Sequence, residues 1–272
     1  MSTATLAAAA GSTTAAPAQA QSRAWVEHIM GMPISVHVRG PQARTPEVAS
    51  AVAAAMDDLR EIEARFSTYR HDSEISRIQH GELTLEDAST QVRQVELLCR
   101  AALERTGGWF DAWNAVPGMP GVFDPTGLVK TFGVTWAARH LDAFAPTLGY
   151  AFGAGGDIQL RAAPDSEPWQ VGIEDPRDQT RVLAHVPVSD GAVATSGSAS
   201  RGAHIMDPHT GAAAEGLLSA TVIGPSLLWA DVLATAAVAR GAGAAEWVGT
   251  LHGTSGMLVT TSGAVHRWSN PV

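Results

Sequence analysis

The chain has 272 residues, 45% hydrophobic and 17% charged, so it is long enough to bury a sizeable core in one large domain or two small ones. Its formal net charge of −9 argues against a nucleic-acid or anionic-membrane surface, because both need clustered Lys and Arg. The single cysteine, Cys99, excludes an intrachain disulfide and a cysteine-based metal site. We interpret Cys99 as a small buried apolar residue.

Residues 1–22 are rich in Ala, Ser and Thr and carry no charged side chain. A secretory signal needs a basic start and a strong apolar run, so we interpret this stretch as a disordered tail. No later run approaches the roughly 18 apolar residues of a membrane span. A cytoplasmic location is therefore the default expectation, and export through the tail stays open.

The first half of the ordered sequence predicts a strand followed by helices. Apolar and polar residues alternate over 34–38, which is typical of a half-buried strand. Thr45-Pro46 predicts an N-cap and the start of a helix, since the apolar residues that follow recur every three or four positions. Two further helices are predicted over residues 85–105 and 127–144.

The second half predicts mostly short strands separated by Gly, Pro and Asp turns. These predicted strands cover residues 151–161, 169–173, 182–188 and 219–224. Residues 229–240 predict an Ala-rich buried helix, and residues 257–268 a closing hairpin around Thr261-Ser262-Gly263. Helices early and strands late, without regular alternation, favour the α+β class over a doubly wound sheet.

Two glycine-containing segments could bind a phosphate. In Asp124-Pro125-Thr126-Gly127-Leu128-Val129-Lys130, free N–H groups at a helix start suit a phosphate, and Lys130 adds a point charge. Alternatively, Asp124 only caps the helix and Lys130 is solvated. The glycines of residues 153–157 either let the backbone approach a ligand or merely form a tight turn.

A third segment contains a candidate general base. Thr195-Ser196-Gly197 is followed by residues 204–211, which read His-Ile-Met-Asp-Pro-His-Thr-Gly. His204 is the candidate, since its ordinary pKa lies near neutrality, although a structural histidine is the alternative. His209 is the local competitor, and its place in the turn before a glycine predicts solvent exposure.

The fourth candidate is the pair Asp231 and Thr235. Their i, i+4 spacing puts both oxygens on one helix face, and these are hard ligands that suit Mg²⁺. A carboxylate in an Ala-rich helix costs several kcal/mol unless it is paired or metal-bound. The alternative is an Asp that caps an amphipathic helix. Together, the four segments indicate a Mg²⁺-dependent enzyme acting on a phosphate ester.

The order of these motifs resembles the ApbE family of FAD:protein FMN transferases, from about residue 30 to residue 265. The motifs that carry the resemblance are Met30-Gly31-Met32, Phe66-Ser67-Thr68-Tyr69-Arg70, Asp72-Ser73-Glu74-Ile75-Ser76-Arg77, Gly108-Trp109-Phe110-Asp111, the segment 124–130, Gly155-Gly156-Asp157, Thr195-Ser196-Gly197, His204-Ile205-Met206-Asp207-Pro208 and Asp231 with Thr235.

The resemblance implies a fold and a role for the matching positions. It implies one α+β, T-fold-related domain over residues 23–272, with helices early and a mostly antiparallel sheet late. It also implies that Gly127, through its carbonyl, holds Mg²⁺ with Asp231 and Thr235, and that His204 is the base acting beside the metal ligand Asp231. The implied FAD-binding residues are Met30, Tyr69, Trp109, Phe110, Asp111, Asp124, Lys130 and Ile205.

The implied reaction moves FMN from FAD onto a threonine of an acceptor flavoprotein and releases AMP. Two alternatives stay open: an FAD pyrophosphatase that gives FMN and AMP, and a non-catalytic FAD-binding protein. The sequence departs from the family pattern in three places. Met32 replaces a threonine, Thr131 stands where a glycine usually follows the lysine, and the stretch from Asp111 to Asp124 is short. Trp109 and Trp113 in this region either stack on a ligand ring or pack in the core.

Overall fold

The computed structural model describes residues 5–6, 21–197 and 205–270. The predicted disordered tail over 1–22 falls mostly outside these residues, so the tail and the domain boundary at residue 23 stay predictions. Within the tail, Thr5–Leu6 form a two-residue strand, and a longer strand begins at Ser22.

The described residues form six α-helices, eleven strands and one 3₁₀ turn at Gly241–Gly243. The helices are α1 Pro46–Phe66, α2 Glu74–Gln79, α3 Thr90–Thr106, α4 Thr126–Asp142, α5 Leu227–Arg240 and α6 Ala244–Val248. The strands are β1 Thr5–Leu6, β2 Ser22–Ile29, β3 Met32–Arg39, β4 Gly149–Ala154, β5 Asp157–Arg161, β6 Trp169–Asp175, β7 Asp178–Val188, β8 Asp190–Gly197, β9 Leu217–Gly224, β10 Thr254–Thr260 and β11 Val265–Asn270.

Local capping explains where the early helices begin. The predicted cap of α1 is confirmed, because the Thr45 hydroxyl accepts the N–H of Val48 at 3.4 Å. The predicted helix start at residue 85 is wrong: α3 begins at Thr90, where the Ser89 hydroxyl accepts a free N–H of the first turn. The short helix α2, capped by Ser73, was not predicted.

Glycines divide one predicted strand into two. The single strand predicted over 151–161 is wrong, since β4 and β5 form a hairpin turning at Gly155 and Gly156. Both glycines have positive φ, 59° and 103°, which side chains rarely adopt. The turn brings Asp157 to the start of β5, directly beside the end of β4.

Two antiparallel sheets and a set of helices make three layers, which confirms the α+β class. The larger sheet has the strand order β11-β10-β9-β8-β5-β4-β3-β2, and the smaller one β1-β6-β7. On one face, Phe152 packs in a core cluster with Leu59 of α1 and Leu233 of α5. On the other face, Leu160 packs with Val171 of the smaller sheet. Helices α1, α4 and α5 therefore lie on one side, and β6–β7 on the other.

The segment Leu227–Val248 is long and apolar enough to cross a membrane by length and composition. It consists of α5 and the short helices after it, and 72% of its most apolar window is buried inside the fold. A helix packed in the core of a protein is also apolar on most of its faces, and this composition is compatible with such packing.

Candidate functional site

A cavity of about 470 Å³ opens where the start of α4, the end of β8 and the middle of α5 meet. Most of the residues predicted to bind FAD or Mg²⁺ line it. The predicted residues in its wall are Tyr69, Trp109, Phe110, Asp111, Asp124, Gly127, Lys130, Ile205, Asp231 and Thr235.

The start of α4 forms one wall of the cavity. Asp124 Oδ1 accepts the N–H of Thr126 at 2.9 Å, and the carboxylate also lines the cavity. The capping alternative is wrong in its residue, because the N-cap of α4 is Pro125, which makes no side-chain cap. A Cβ on Gly127 would lie 3.4 Å from the Phe110 ring. A methyl group at this position would therefore make only ordinary van der Waals contact with the ring.

Lys130 lies between two buried carboxylates. Its ammonium donates to Asp157 Oδ2 on β5 and lies 3.4 Å from Asp231 Oδ2 on α5. Asp157 is fully buried, and its other oxygen accepts the N–H of Thr195 at 2.8 Å. The alternative of a solvated Lys130 is wrong, since its side chain is only 18% exposed. The Lys130 ammonium is instead part of the cavity wall, and its ion pair with Asp157 sets its orientation.

Asp231 is a buried carboxylate at the base of the cavity. Burial raises its pKa from the ordinary value of 3.8 to about 6, while Lys130 beside it acts in the opposite direction. The capping alternative for Asp231 is wrong, because the hydroxyl that caps α5 belongs to Ser226. One turn further on, the Thr235 hydroxyl lies 2.9 Å from the Ser196 hydroxyl of β8.

The oxygens in this wall fit a hard divalent cation. Asp231 supplies a carboxylate and Thr235 a hydroxyl, one helical turn apart, and both line the cavity with Gly127. A helical carbonyl has a second lone pair, so Gly127 can keep its helix bond and still bind a cation. Within the part of the chain that the structure describes, no group of three or more His, Cys, Asp or Glu gathers to hold a metal. This donor set suits Mg²⁺ better than Zn²⁺.

The two tryptophans of residues 108–124 have different surroundings. Trp113 packs on Phe123, with ring centroids 5.2 Å apart, so it follows the packing alternative. Trp109 lines the cavity and meets the His209 ring edge-on at 4.4 Å. His209 is exposed, as predicted, and stands against the outer side of this aromatic wall. Trp109 therefore belongs to the cavity wall, with the Arg240 guanidinium 5.4 Å from its ring centroid, while Trp113 is not among the described lining residues.

The remaining predicted residues lie at the edge of the cavity or outside the described part. Tyr69 is 98% exposed and lines the mouth. Among the residues that the structure describes, Met32 lines the cavity and Met30 does not. The backbone N–H of Met30 donates to Glu63 at 2.8 Å, and its side chain packs against the core. A contact between Met30 and FAD stays a prediction. His204 lies outside the described residues, so its role as a base also stays a prediction.

Three polar residues of the site had no predicted role. Asp157 and Ser196 belong to quoted motifs, and Thr131 was noted only as a departure from the family pattern. Their contacts join β5, β8, α4 and α5, which are distant in sequence. The sequence could have indicated a role for Asp157 through its position after two glycines. Only the folded structure shows that its carboxylate forms an ion pair with Lys130.

A buried lysine between carboxylates, beside a helix start and a pair of hard oxygens, is an arrangement that suits an anionic ester and a divalent cation. The model of the ApbE family matches residues 30–115 and 118–258 of this chain. The chain belongs to the ApbE family.

Curated relatives carry a consistent name. The FAD:protein FMN transferase of Escherichia coli K12 is 31% identical over 158 residues, covering 53% of this chain and 45% of that protein. The FAD:protein FMN transferase of Vibrio cholerae is 29% identical over 238 residues, covering 67% of this chain and 71% of that protein. The match therefore spans about half the length of the Escherichia coli relative.

Solved structures share the fold over nearly the whole chain. The ApbE protein of Thermotoga maritima has a TM-score of 0.77 at 20% identity, covering 91% of this chain and 97% of that one. The flavin transferase ApbE of Vibrio cholerae has a TM-score of 0.76 at 22% identity, covering 92% and 97%. These likenesses confirm the single ApbE-like α+β fold that the motifs implied.

Proposed function

We propose that this chain is a Mg²⁺-dependent flavin transferase that moves FMN from FAD to a threonine of an acceptor flavoprotein and releases AMP. The observation that carries the proposal is the meeting of Lys130, Asp231, Thr235 and Gly127 in one cavity at the start of α4. The names of the curated relatives support the flavin nucleotide as the phosphate ester.

The phosphate-binding part of the site consists of Lys130 and the first turn of α4. The Lys130 ammonium is oriented by Asp157, so it can donate to a phosphate oxygen with little loss of side-chain entropy. The partial positive charge at the N-terminus of α4 favours the same anion. Asp231, Thr235 and Gly127 would hold Mg²⁺, which as a Lewis acid neutralises charge on the diphosphate.

The transfer step needs one new bond and one broken bond. The oxygen of the acceptor threonine bonds to the phosphorus of the FMN half, and the bond from that phosphorus to the bridging oxygen breaks. AMP leaves with the bridging oxygen, and the hydroxyl proton passes to a base. We assign that base to His204, because the next residue in the chain, Ile205, lines the cavity. No oxidant or reductant is required.

Aromatic and acidic residues at the mouth define the rest of the proposed FAD site. Trp109 and Phe110 offer ring faces, and the exposed Tyr69 lies where a flavin or an acceptor chain would enter. Asp111 is held in place because its oxygens accept the N–H of Trp113 and the amide of Asn114. The proposed partners are therefore FAD and an acceptor flavoprotein, with no role for nucleic acid or a membrane span, and we propose a cytoplasmic site of action.

The direct test incubates the purified chain with FAD, Mg²⁺ and flavoprotein acceptors from the same source, and weighs the acceptors by mass spectrometry. We expect an FMN-sized gain that disappears with chelator and in His204→Asn. A matched control is His266→Asn, which changes an exposed histidine of β11 and should leave the gain unchanged. Failure of every acceptor to gain mass would contradict the proposal.

The same incubation distinguishes the two alternatives. Release of free FMN and AMP at the full rate without any acceptor would identify an FAD pyrophosphatase. Tight FAD binding with no conversion, in both the parent chain and His204→Asn, would identify a non-catalytic FAD-binding protein.

A further inference from the structure

Thr131 places a buried hydroxyl against the proposed metal ligand. It follows Lys130 on α4 and is fully buried. Its Oγ1 lies 3.2 Å from Asp231 Oδ2 and 3.2 Å from the carbonyl oxygen of Leu128. This chain therefore contacts Asp231 through a group that its sequence motif did not predict.

Two contacts of the Asp231 side chain, one from Thr131 and one from Lys130, reach the same oxygen. Oδ2 faces the Thr131 hydroxyl at 3.2 Å and the Lys130 ammonium at 3.4 Å. With Oδ2 anchored, rotation of the carboxylate is restricted, and the orientation of Oδ1 toward a cation is fixed with it. Because ordering a carboxylate on binding costs free energy, an anchored one binds a cation more tightly than a rotating one.

The position of the Thr131 hydroxyl also has a local explanation, a hydrogen bond within its own helix, which the test must distinguish from a bond to Asp231. A helical threonine often donates to a carbonyl in the preceding turn, as Thr131 can to Leu128. The hydroxyl has one proton, so it serves one acceptor at a time. An ionised carboxylate is the stronger acceptor of the two. The proton should therefore lie toward Asp231 whenever that group is charged.

We propose that Thr131 is a positioning residue that fixes Asp231 and so raises the affinity of the cavity for Mg²⁺. The proposal rests on the proposed function, since it takes Asp231 as a ligand of the cation. It predicts that the hydroxyl, and not the bulk of the side chain, matters. Valine has nearly the same shape without the hydroxyl, whereas serine keeps the hydroxyl without the methyl group.

The test measures binding of Mn²⁺, used as a paramagnetic substitute for Mg²⁺, by electron paramagnetic resonance without FAD. Thr131→Val should bind Mn²⁺ about tenfold more weakly, the low end of the usual cost of losing a hydrogen bond to a metal ligand. Thr131→Ser should stay within about twofold of the parent chain. The matched control is Thr254→Val, which removes another buried hydroxyl, the acceptor for Trp268 Nε1, and should leave Mn²⁺ affinity unchanged.

The outcomes separate this inference from the proposed function. If Thr131→Val binds Mn²⁺ as tightly as the parent chain, or if Thr131→Ser is as weak as Thr131→Val, the positioning role is wrong while the metal site stands. An equal loss in Thr254→Val would attribute the effect to general destabilisation and also overturn it. If the parent chain binds no Mn²⁺, both ideas fail. Should Thr131→Val not fold by circular dichroism, Thr131→Ala replaces it with the same expected loss and the same refuting results.

Discussion

Replacing Asp231 by asparagine should stabilise the metal-free protein while abolishing transfer. The carboxylate is 3% exposed and shares the Lys130 ammonium with the fully buried Asp157. Asparagine has the same shape and no charge, and its carbonyl can still accept from Thr131. Lys130 keeps Asp157 as a partner, so the substitution leaves no buried cation alone. We therefore expect the negative charge of Asp231 to contribute to cation binding and not to the stability of the fold.

The magnitude follows from the pKa of Asp231. Burial raises it from 3.8 to about 6, so the folded chain holds this proton more tightly than the unfolded chain. The protonated Asp231 carboxyl therefore contributes to the free energy of unfolding. This contribution is fully present below pH 4 and is lost as pH rises toward 6, a change of about 3 kcal/mol at 1.36 kcal/mol per pKa unit. The amide has its own desolvation cost, so we expect Asp231→Asn to gain about 1–2 kcal/mol at pH 8, or roughly 2–8 °C in Tm.

Thermal unfolding in chelator at pH 4 and pH 8 measures this effect. The difference in Tm between Asp231→Asn and the parent chain should be near zero at pH 4 and positive at pH 8. Added Mg²⁺ should stabilise the parent chain and not the variant. Asp165→Asn, at an exposed position, is the control and should follow the parent at both pH values. A lower Tm of Asp231→Asn at pH 8 in chelator would refute the reasoning.

Three further predictions concern the lysine, the cysteine and the cation. Lys130→Met should leave Asp157 buried and unpaired, which costs about 3 kcal/mol in urea unfolding, and should weaken FAD binding in a fluorescence titration at least about tenfold; unchanged stability would contradict the pairing. Burial raises the pKa of Cys99 to about 12, so the native thiol should not react with Ellman's reagent at pH 8, and its contribution to stability should decline as pH rises above 9. Rapid reaction before unfolding would show that the thiol is accessible. FAD should bind at least about tenfold more weakly in chelator than in Mg²⁺, and equal affinities would exclude a cation between the protein and the diphosphate.

Local sequence rules predicted the elements that have strong local signals. Thr45-Pro46 carries both a cap and a proline suited to a first turn, and α1 begins there. Strand β8 was missed because its inward side chains, such as Ala192 and Ala194, are small and look like no strand pattern. The predicted start of α3 was too early because the sequence did not indicate which residue caps the helix. The structure shows that Ser89 supplies the cap.

The contacts of the site that depend on the spacing of residues along one helix could be predicted from the sequence. The contacts that depend on how distant elements pack together could not. Asp231 and Thr235 share a helix face at i, i+4, so their juxtaposition follows from helix geometry. Lys130 and Asp157 are separated by 27 residues, and Thr131 and Asp231 by 100. Those contacts depend on the packing of α4 against both α5 and β5, which no periodicity in the sequence predicts. Long-range packing thus supplies the electrostatics of the site.

The charges in the cavity explain why a lysine and a divalent cation are both needed for the proposed reaction. The three groups around the Lys130 ammonium sum to one negative charge, since Asp157 and Asp231 carry two negative charges and Lys130 one positive charge. Asp111 and Asp124 add further negative charge to the cavity wall. A diphosphate adds about two more negative charges, so FAD alone would meet net repulsion at low dielectric. A divalent cation on Asp231 offsets the charge that the diphosphate adds, while Lys130 remains matched to Asp157. The cation removes the repulsion that opposes FAD, and the diphosphate of FAD adds negative charge that attracts the cation, so the two must raise each other's affinity by the same factor.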